Sequence, residues 1–292
     1  MRTRWIPLLL SLLLLAVAPG WIHVRFDQRA QAAIEPRLRA VLAEPLSDYG
    51  FYLPGDAANR QPLRVLVALH GMGGNGPEFA RSLLPLTERY GWAVLAPTLP
   101  YRDFRDPELV RRDGELHPRL KALLDALPAR TGLSYLPRVL FFGFSRGSQE
   151  AHRFSFLYPE STLGVAGLSA GSYTLPSKTF GLNAQDSLLR YPFGTADVDQ
   201  ICGQAFDPAA AQRVGYWIAV GGRDNRAEDV PRQWDPYEGT NRVERAQRFV
   251  AALQQFGARA SLAIYPNAAH ELTDQMRDEA VQFLASLSAS GL

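Results

Sequence analysis

Apolar positions along the chain follow two patterns that take turns. Near-continuous apolar runs occupy Leu63–Leu69 (LRVLVAL), Trp92–Ala96, Val139–Phe142, Thr162–Ser169, Val214–Val220 and Ala260–Tyr265. Runs of that length without a polar face predict strands buried on both sides. Between them, apolar residues recur at helical spacing over Pro77–Tyr90, Leu116–Leu127, Gln149–Tyr158, Asn241–Phe256 and Met276–Leu287. Tyr49–Leu53 predicts a further short, aromatic-rich strand closed by Pro54-Gly55, and Tyr101–Asp113 is charged and reads as a loop. The Leu116–Leu127 helix is expected to stop around Pro128 and Gly132. Strand and helix alternate, with connections long enough for parallel crossovers. The predicted fold class is α/β: one domain over residues 49–292, a mostly parallel sheet with helices on both faces.

One stretch breaks the alternation. Gly171–Asp207 sets Tyr173, Phe180, Tyr191, Phe193 and Phe206 among glycines, prolines and polar residues. An irregular insertion after the strand that follows the Gln149–Tyr158 helix is either a lid or binding loop, or a surface excursion whose aromatics pack on the body.

The N-terminus has a different character. Arg2 and Arg4 precede an apolar run from Trp5 to Trp21, with Ala16-Val17-Ala18 near its end and Pro19 after it. Residues 1–22 are expected to be a secretory signal peptide or an uncleaved membrane anchor. Either places the body outside the cytoplasm, periplasmic, secreted or membrane-anchored. Residues 23–48 read as a helical spacer, with Ile34, Leu38, Val41 and Leu42 on one side and Arg37 and Arg39 on the other.

Composition narrows the function classes. The 292 residues are 47% hydrophobic and 21% charged, enough to bury a sizeable core. Lys plus Arg number 31 against 29 acidic residues, a formal charge of +2, so no basic field points to nucleic acid. Cys202 is the only cysteine and has no histidine near it in sequence, which fits a small buried apolar residue. The histidines show no metal-ligand spacing, and Asp197-Val198-Asp199 reads as a turn cap, with a calcium site as the alternative.

Candidate chemistry centres on Gly143-Phe144-Ser145-Arg146-Gly147, a serine in a G-x-S-x-G frame between a strand and a helix. A nucleophile on so sharp a corner has a strained backbone, and bulk two residues either side would collide with neighbouring chain. The helix that follows points free N–H groups and its positive end at any oxyanion formed there. Serine needs a base, and the base an orienting acid. In a parallel sheet such groups collect after the C-terminal ends of strands, where His70, Ser145, Asp224 and His270 all lie.

The order Ser145, Asp224, His270, with Leu69-His70-Gly71 after a buried strand and Gly221-Gly222-Arg223-Asp224 after a late one, resembles the α/β-hydrolases over Tyr49–Leu287. Within that superfamily the chain is similar to secreted esterases grouped with polyhydroxybutyrate depolymerases, feruloyl esterases and dienelactone hydrolases. The resemblance implies Ser145 as nucleophile, His270 as general base and then acid, and Asp224 as the orienting acid, with Glu228 and Asp229 as rivals for that role. Backbone N–H groups of Met72 and Arg146 are expected to form the oxyanion hole. The Arg146 side chain either pairs with Glu150 four residues on or attracts an acidic substrate.

The implied activity is hydrolysis of carboxylic esters through an acyl-enzyme, without a cofactor or metal, on a small or polymeric ester. Acyl transfer and peptidase activity use the same machinery, and an inactive binding protein is a further class. Gly71-Met72-Gly73-Gly74-Asn75-Gly76 also fits the dinucleotide signature G-x-G-x-x-G. No acidic residue ends a strand about 20 residues on, which counts against a dinucleotide-binding oxidoreductase. Tyr173 and Trp234 are candidate substrate contacts, and no protein partner is implied.

Overall fold

Among the described residues each near-continuous apolar run becomes a strand, and burial decides where each lies in the sheet. The computed structural model describes Leu46 and residues 48–289, apart from 104, 105, 107 and 182–186. The expected signal or anchor (1–22) and nearly all of the helical spacer (23–48) lie outside the described residues. No helix among those described is long and apolar enough to cross a membrane.

The strands are β1 (Tyr49–Tyr52), β2 (Val65–Leu69), β3 (Ala93–Pro97), β4 (Val139–Phe144), β5 (Thr162–Leu168), β6 (Thr179–Phe180), β7 (Ser187–Leu188), β8 (Gly215–Gly221) and β9 (Arg259–Tyr265). Among the described residues, seven form one sheet in the order β1-β3-β2-β4-β5-β8-β9. All pairs are parallel except β1 with β3. β2, β3, β5 and β8 are buried throughout, whereas β9 at one edge mixes half-buried and exposed positions. β6 and β7 form a separate two-stranded ribbon inside the Gly171–Asp207 insertion.

The period-two alternation sorts side chains onto two faces. Val65, Val67, Leu69 and Phe141 face one apolar layer; Leu66, Ala68, Leu140 and Phe142 face the other. The helices are α1 (Gly76–Arg81), α2 (Leu84–Glu88), α3 (Leu109–Thr131), α4 (Arg146–Leu157), α5 (Val198–Cys202), α6 (Pro208–Ala211), α7 (Asp235–Glu238), α8 (Arg242–Phe256) and α9 (Asp274–Ala289). The first layer receives Leu120 and Leu123 of α3, Phe154 of α4 and Phe249 of α8. The second receives Ala80 of α1 and Met276, Ala280 and Leu284 of α9. Helices therefore cover both faces, as expected.

Two expected helices differ in extent. Pro77–Tyr90 is split into α1 and α2, because Pro85 opens the second helix and cannot continue the first: it lacks an N–H and its ring crowds the preceding turn. α3 begins at Leu109, inside the stretch expected to be loop, and stops at Gly132, whose φ is 70°. One of the charges that suggested a loop is spent internally, as buried Asp113 binds Arg146 and Arg153, while Glu108 and Arg112 pair on the surface at helical spacing.

α4 is the central helix, and Gly147–Leu157 are all buried. Glu150 and Arg153 find partners in place, whereas the buried Ser148 hydroxyl and Arg146 Nε have none among the described residues. His117 Nδ1 lies 2.7 Å from Glu150 Oε1, and Arg153 donates to Thr174 Oγ1, Ser172 Oγ and Asp113. The insertion supplies Ser172, Thr174 and Tyr191 to this layer, so part of it packs on the body. Cys202 is buried beside Leu157, Tyr191 and Val198, and burial pushes its thiol pKa up.

Two buried histidines are fixed in the neutral form. The Thr174 N–H donates to His152 Nε2 (3.0 Å) and the Leu99 N–H to His70 Nε2 (3.0 Å). Each opposite nitrogen faces a carbonyl, Ser148 O or Gly71 O, so Nδ1 carries the proton. Burial lowers both pKa values from the usual 6.5, His152 far below it. The unfolded chain therefore binds protons first as pH falls, so their contribution is intact above about pH 6.5 and is lost below it. NMR titration of the imidazole protons between about pH 8 and pH 5 isolates these two rings from other titrating groups: both should still be neutral at about pH 6.5, where an unperturbed histidine is half charged. A midpoint at or above about 6.5 for either ring contradicts the assignment.

Candidate active site

The parallel register brings the strand ends to one rim. Leu69 pairs with Gly143, Phe144 with Leu168, Leu168 with Ala219, and Gly221 with Tyr265. The loops that follow these strands carry His70, Ser145, Ser169, Asp224 and His270.

Ser145 alone forms the corner between β4 and α4, with φ 54° and ψ −115°. A side-chain-bearing residue adopts that backbone only when its surroundings hold it there. The Ser145 N–H donates to Leu168 O at 2.8 Å, which ties the corner to β5. The frame glycines are required by close approach. A Cβ on Gly147 would overlap the Leu69 carbonyl, and one on Gly143 would overlap the Gly147 carbonyl.

The acid and base loops are bonded to each other. Gly222 N–H donates to Tyr265 O (2.7 Å) and Arg223 N–H to Ala268 O (2.9 Å). They leave no room for a side chain at Gly221, where a Cβ would overlap the Ala268 and Ala269 carbonyls. His270 bridges the other two groups: Nδ1 lies 2.7 Å from Asp224 Oδ2, and Nε2 lies 3.1 Å from Ser145 Oγ. Asp224 is almost completely buried, whereas the imidazole is 35% exposed and remains open to a ligand and to water. The rivals for the acid are elsewhere: Glu228 and Asp229 pair with Arg226 on the surface.

Chemically, this chain can withdraw a proton from Ser145 Oγ into the imidazole, with Asp224 holding the ring and the Nδ1 tautomer. Arg146 is the first residue of α4, so its N–H has no intrahelical partner. Met72 follows Gly71, where an added Cβ would come within 3.4 Å of the Ser145 Cβ, so the loop passes close to the serine. Among the described residues neither the Met72 nor the Arg146 N–H donates a hydrogen bond, and both residues line the same cleft as Ser145. That placement suits the stabilisation of a developing oxyanion.

The cleft encloses about 170 Å³, and its wall includes Leu109, Gln149, Pro231, Trp234 and Arg242. Trp234 is held by its indole N–H, which donates to Tyr173 O at 2.9 Å. Tyr173 itself does not line the cleft. It is fully buried and stacked on Phe249, with ring centroids 4.2 Å apart, so its place is in the core. From the insertion, Gly171 and Ser172 reach the cleft instead.

Arg146 does not pair with Glu150, which is taken by His117. It donates to Asp113 Oδ1 at 2.6 Å and to Gln149, and its guanidinium lies 5.2 Å from the Tyr101 ring centre. The side chain thus locks α3 onto the start of α4. Sequence reasoning also missed the arginines of α8. Arg245 is buried and donates to the Gly171, Pro231 and Gly239 carbonyls and to Asp235, and Arg242 donates to Asp224 and to Asp229 O. Together they staple the cleft wall. A basic residue in a first helical turn, where acidic ones are favoured, was the available signal.

The Gly71–Gly76 motif forms the loop from β2 into α1, and its Met72 lines the cleft beside Ser145. His70 anchors it through Gly71 O and Leu99 N–H, and Asn75 caps α1 by accepting from the Glu78 N–H.

No family model matches the chain, and no curated protein matches it in sequence. Solved structures match over most of its length. A poly(aspartic acid) hydrolase from Sphingomonas sp. KT-1 is 21% identical with a TM-score of 0.59, covering 82% of this chain and 92% of that one. Esterase PE8 is 20% identical with a TM-score of 0.56, covering 83% and 99%. A carboxylesterase from Mesorhizobium loti is 18% identical with a TM-score of 0.50, covering 80% and 98%. The fold is that of the α/β-hydrolases.

The close approach at Gly147 generates a direct test. Gly147→Ala should destabilise the protein by about 3 kcal/mol or more, measured by denaturant unfolding. A stability within about 0.5 kcal/mol of wild type contradicts this packing at the corner.

Proposed function

We propose that this chain is a serine hydrolase that cleaves carboxylic esters through an acyl-enzyme intermediate. The observation that carries the reading is the continuous chain Ser145 Oγ–His270–Asp224, with contacts of 3.1 and 2.7 Å, at the rim of a parallel sheet and open to a cleft. Names borne by similar folds, esterase, carboxylesterase and poly(aspartic acid) hydrolase, support hydrolysis as the reaction class.

In this reading Ser145 Oγ attacks the ester carbonyl while His270 Nε2 takes its proton. Asp224 stabilises the imidazolium, and the Met72 and Arg146 N–H groups receive the oxyanion. His270 then protonates the departing alcohol. Water enters, gives its proton to His270 and releases the acid, regenerating Ser145. The cleft wall at Leu109, Pro231 and Trp234 offers apolar surface to one arm of the substrate.

Hydrolysis of a short-chain p-nitrophenyl ester tests the proposal. Ser145→Ala should lower kcat by about 10⁴-fold or more while leaving thermal unfolding cooperative. Activity of Ser145→Ala within a few fold of wild type removes Ser145 from the mechanism.

A further inference from the structure

The proposed reaction needs the Asp224 carboxylate held in one rotation, since only one of its oxygens meets His270. We propose that Arg242 is the positioning residue that holds it, an inference that rests on the reading of Ser145, His270 and Asp224 given above. Arg242 Nη1 donates to Asp224 Oδ1 at 2.8 Å, leaving Oδ2 for His270 Nδ1 at 2.7 Å. With one oxygen committed to each partner, the carboxylate plane is fixed, and with it the direction in which Nε2 points at Ser145 Oγ. Arg242 Nη2 donates in turn to Asp229 O at 2.8 Å, so one guanidinium ties the acid to the loop that forms the cleft wall.

Stability alone does not account for an arginine here. Arg242 opens α8, where a positive charge opposes the helix dipole, and its side chain is only 9% exposed. Pairing two buried charges recovers little more than their desolvation cost. A residue that breaks the local preference without a stability gain is expected where function demands it. The demand is visible in Asp224, whose side chain is 1% exposed. Among the described residues Arg242 is the one group bonded to Oδ1. Without it the carboxylate is free to turn, and His270 loses its orientation.

Arg242 also lines the cleft, so direct contact with substrate is the rival role. Both of its Nη atoms are already bound to the protein, and the Nε–H that has no partner among the described residues is buried, which favours positioning over recognition.

Steady-state hydrolysis of a short-chain p-nitrophenyl ester by the whole protein separates the two. Arg242→Met should lower kcat by about 10²-fold, the scale expected of a slightly misplaced catalytic group, with KM within about threefold. Added guanidinium ion at a concentration that does not unfold the protein should restore part of kcat, and equal sodium chloride should not. Wild-type kcat in Arg242→Met overturns the proposal, as does a raised KM at unchanged kcat. If Arg242→Met does not fold, Arg242→Lys keeps the charge with a shorter reach. It should lower kcat and displace the low-field proton resonance of the His270–Asp224 hydrogen bond. A wild-type kcat with an unmoved resonance overturns the proposal. Wild-type activity in Ser145→Ala instead removes the underlying reading, whatever the Arg242 variants do.

Discussion

The close packing of α4 against the ends of β2 and β4 is the constraint on which the remaining structure depends. At Gly147 the helix approaches the Leu69 carbonyl so closely that a methyl group does not fit. That contact forces the chain to turn within one residue, and the residue is Ser145, with its positive φ. The strain is supported by the sheet, because the Ser145 N–H is bonded to Leu168 O of β5. The same atoms therefore complete the core and expose the hydroxyl. Stability and the candidate chemistry are coupled here, because loosening the corner loosens both.

Placing α4 in the middle of the molecule has an electrostatic consequence. Glu150, His152 and Arg153 become buried, and each is answered by a named partner from α3 or the insertion. Asp113 serves Arg146 and Arg153 together, so one carboxylate of α3 fixes both the first turn of α4 and its interior. On the other side of the cleft, α8 works in a similar way through Arg242 and Arg245. The cleft is thus held between two helices whose arginines grip loop carbonyls and carboxylates, which leaves Ser145 and the exposed part of His270 between rigid walls.

Much of the fold was legible because buried parallel strands leave unbroken apolar runs, and Val65–Leu69 or Gly215–Gly221 admit few other readings. Ser145, Asp224 and His270 were legible because each follows such a run. Residues whose role depends on distant partners were not. Tyr173 looked like a loop aromatic, but Phe249, far along the chain, makes it a core residue. Arg146 has Glu150 at helical spacing, yet the fold gives Glu150 to His117 and Arg146 to Asp113. The start of α3 was hidden for the same reason, since Asp113 looks solvated until its buried partners Arg146 and Arg153 are known. Arg242 and Arg245 acquire meaning only when α8 is set beside the Asp224 and Trp234 loops.

The proposed reaction passes through an acyl group on Ser145, and that intermediate can be trapped. The protein is mixed with a p-nitrophenyl ester whose acyl group leaves slowly, quenched in acid during turnover, and weighed intact before peptide mapping. The expected result is a mass increase of one acyl group, located on Ser145 and missing from Ser145→Ala. Turnover with no adduct on Ser145, or an adduct mapped to another residue and retained in Ser145→Ala, contradicts it.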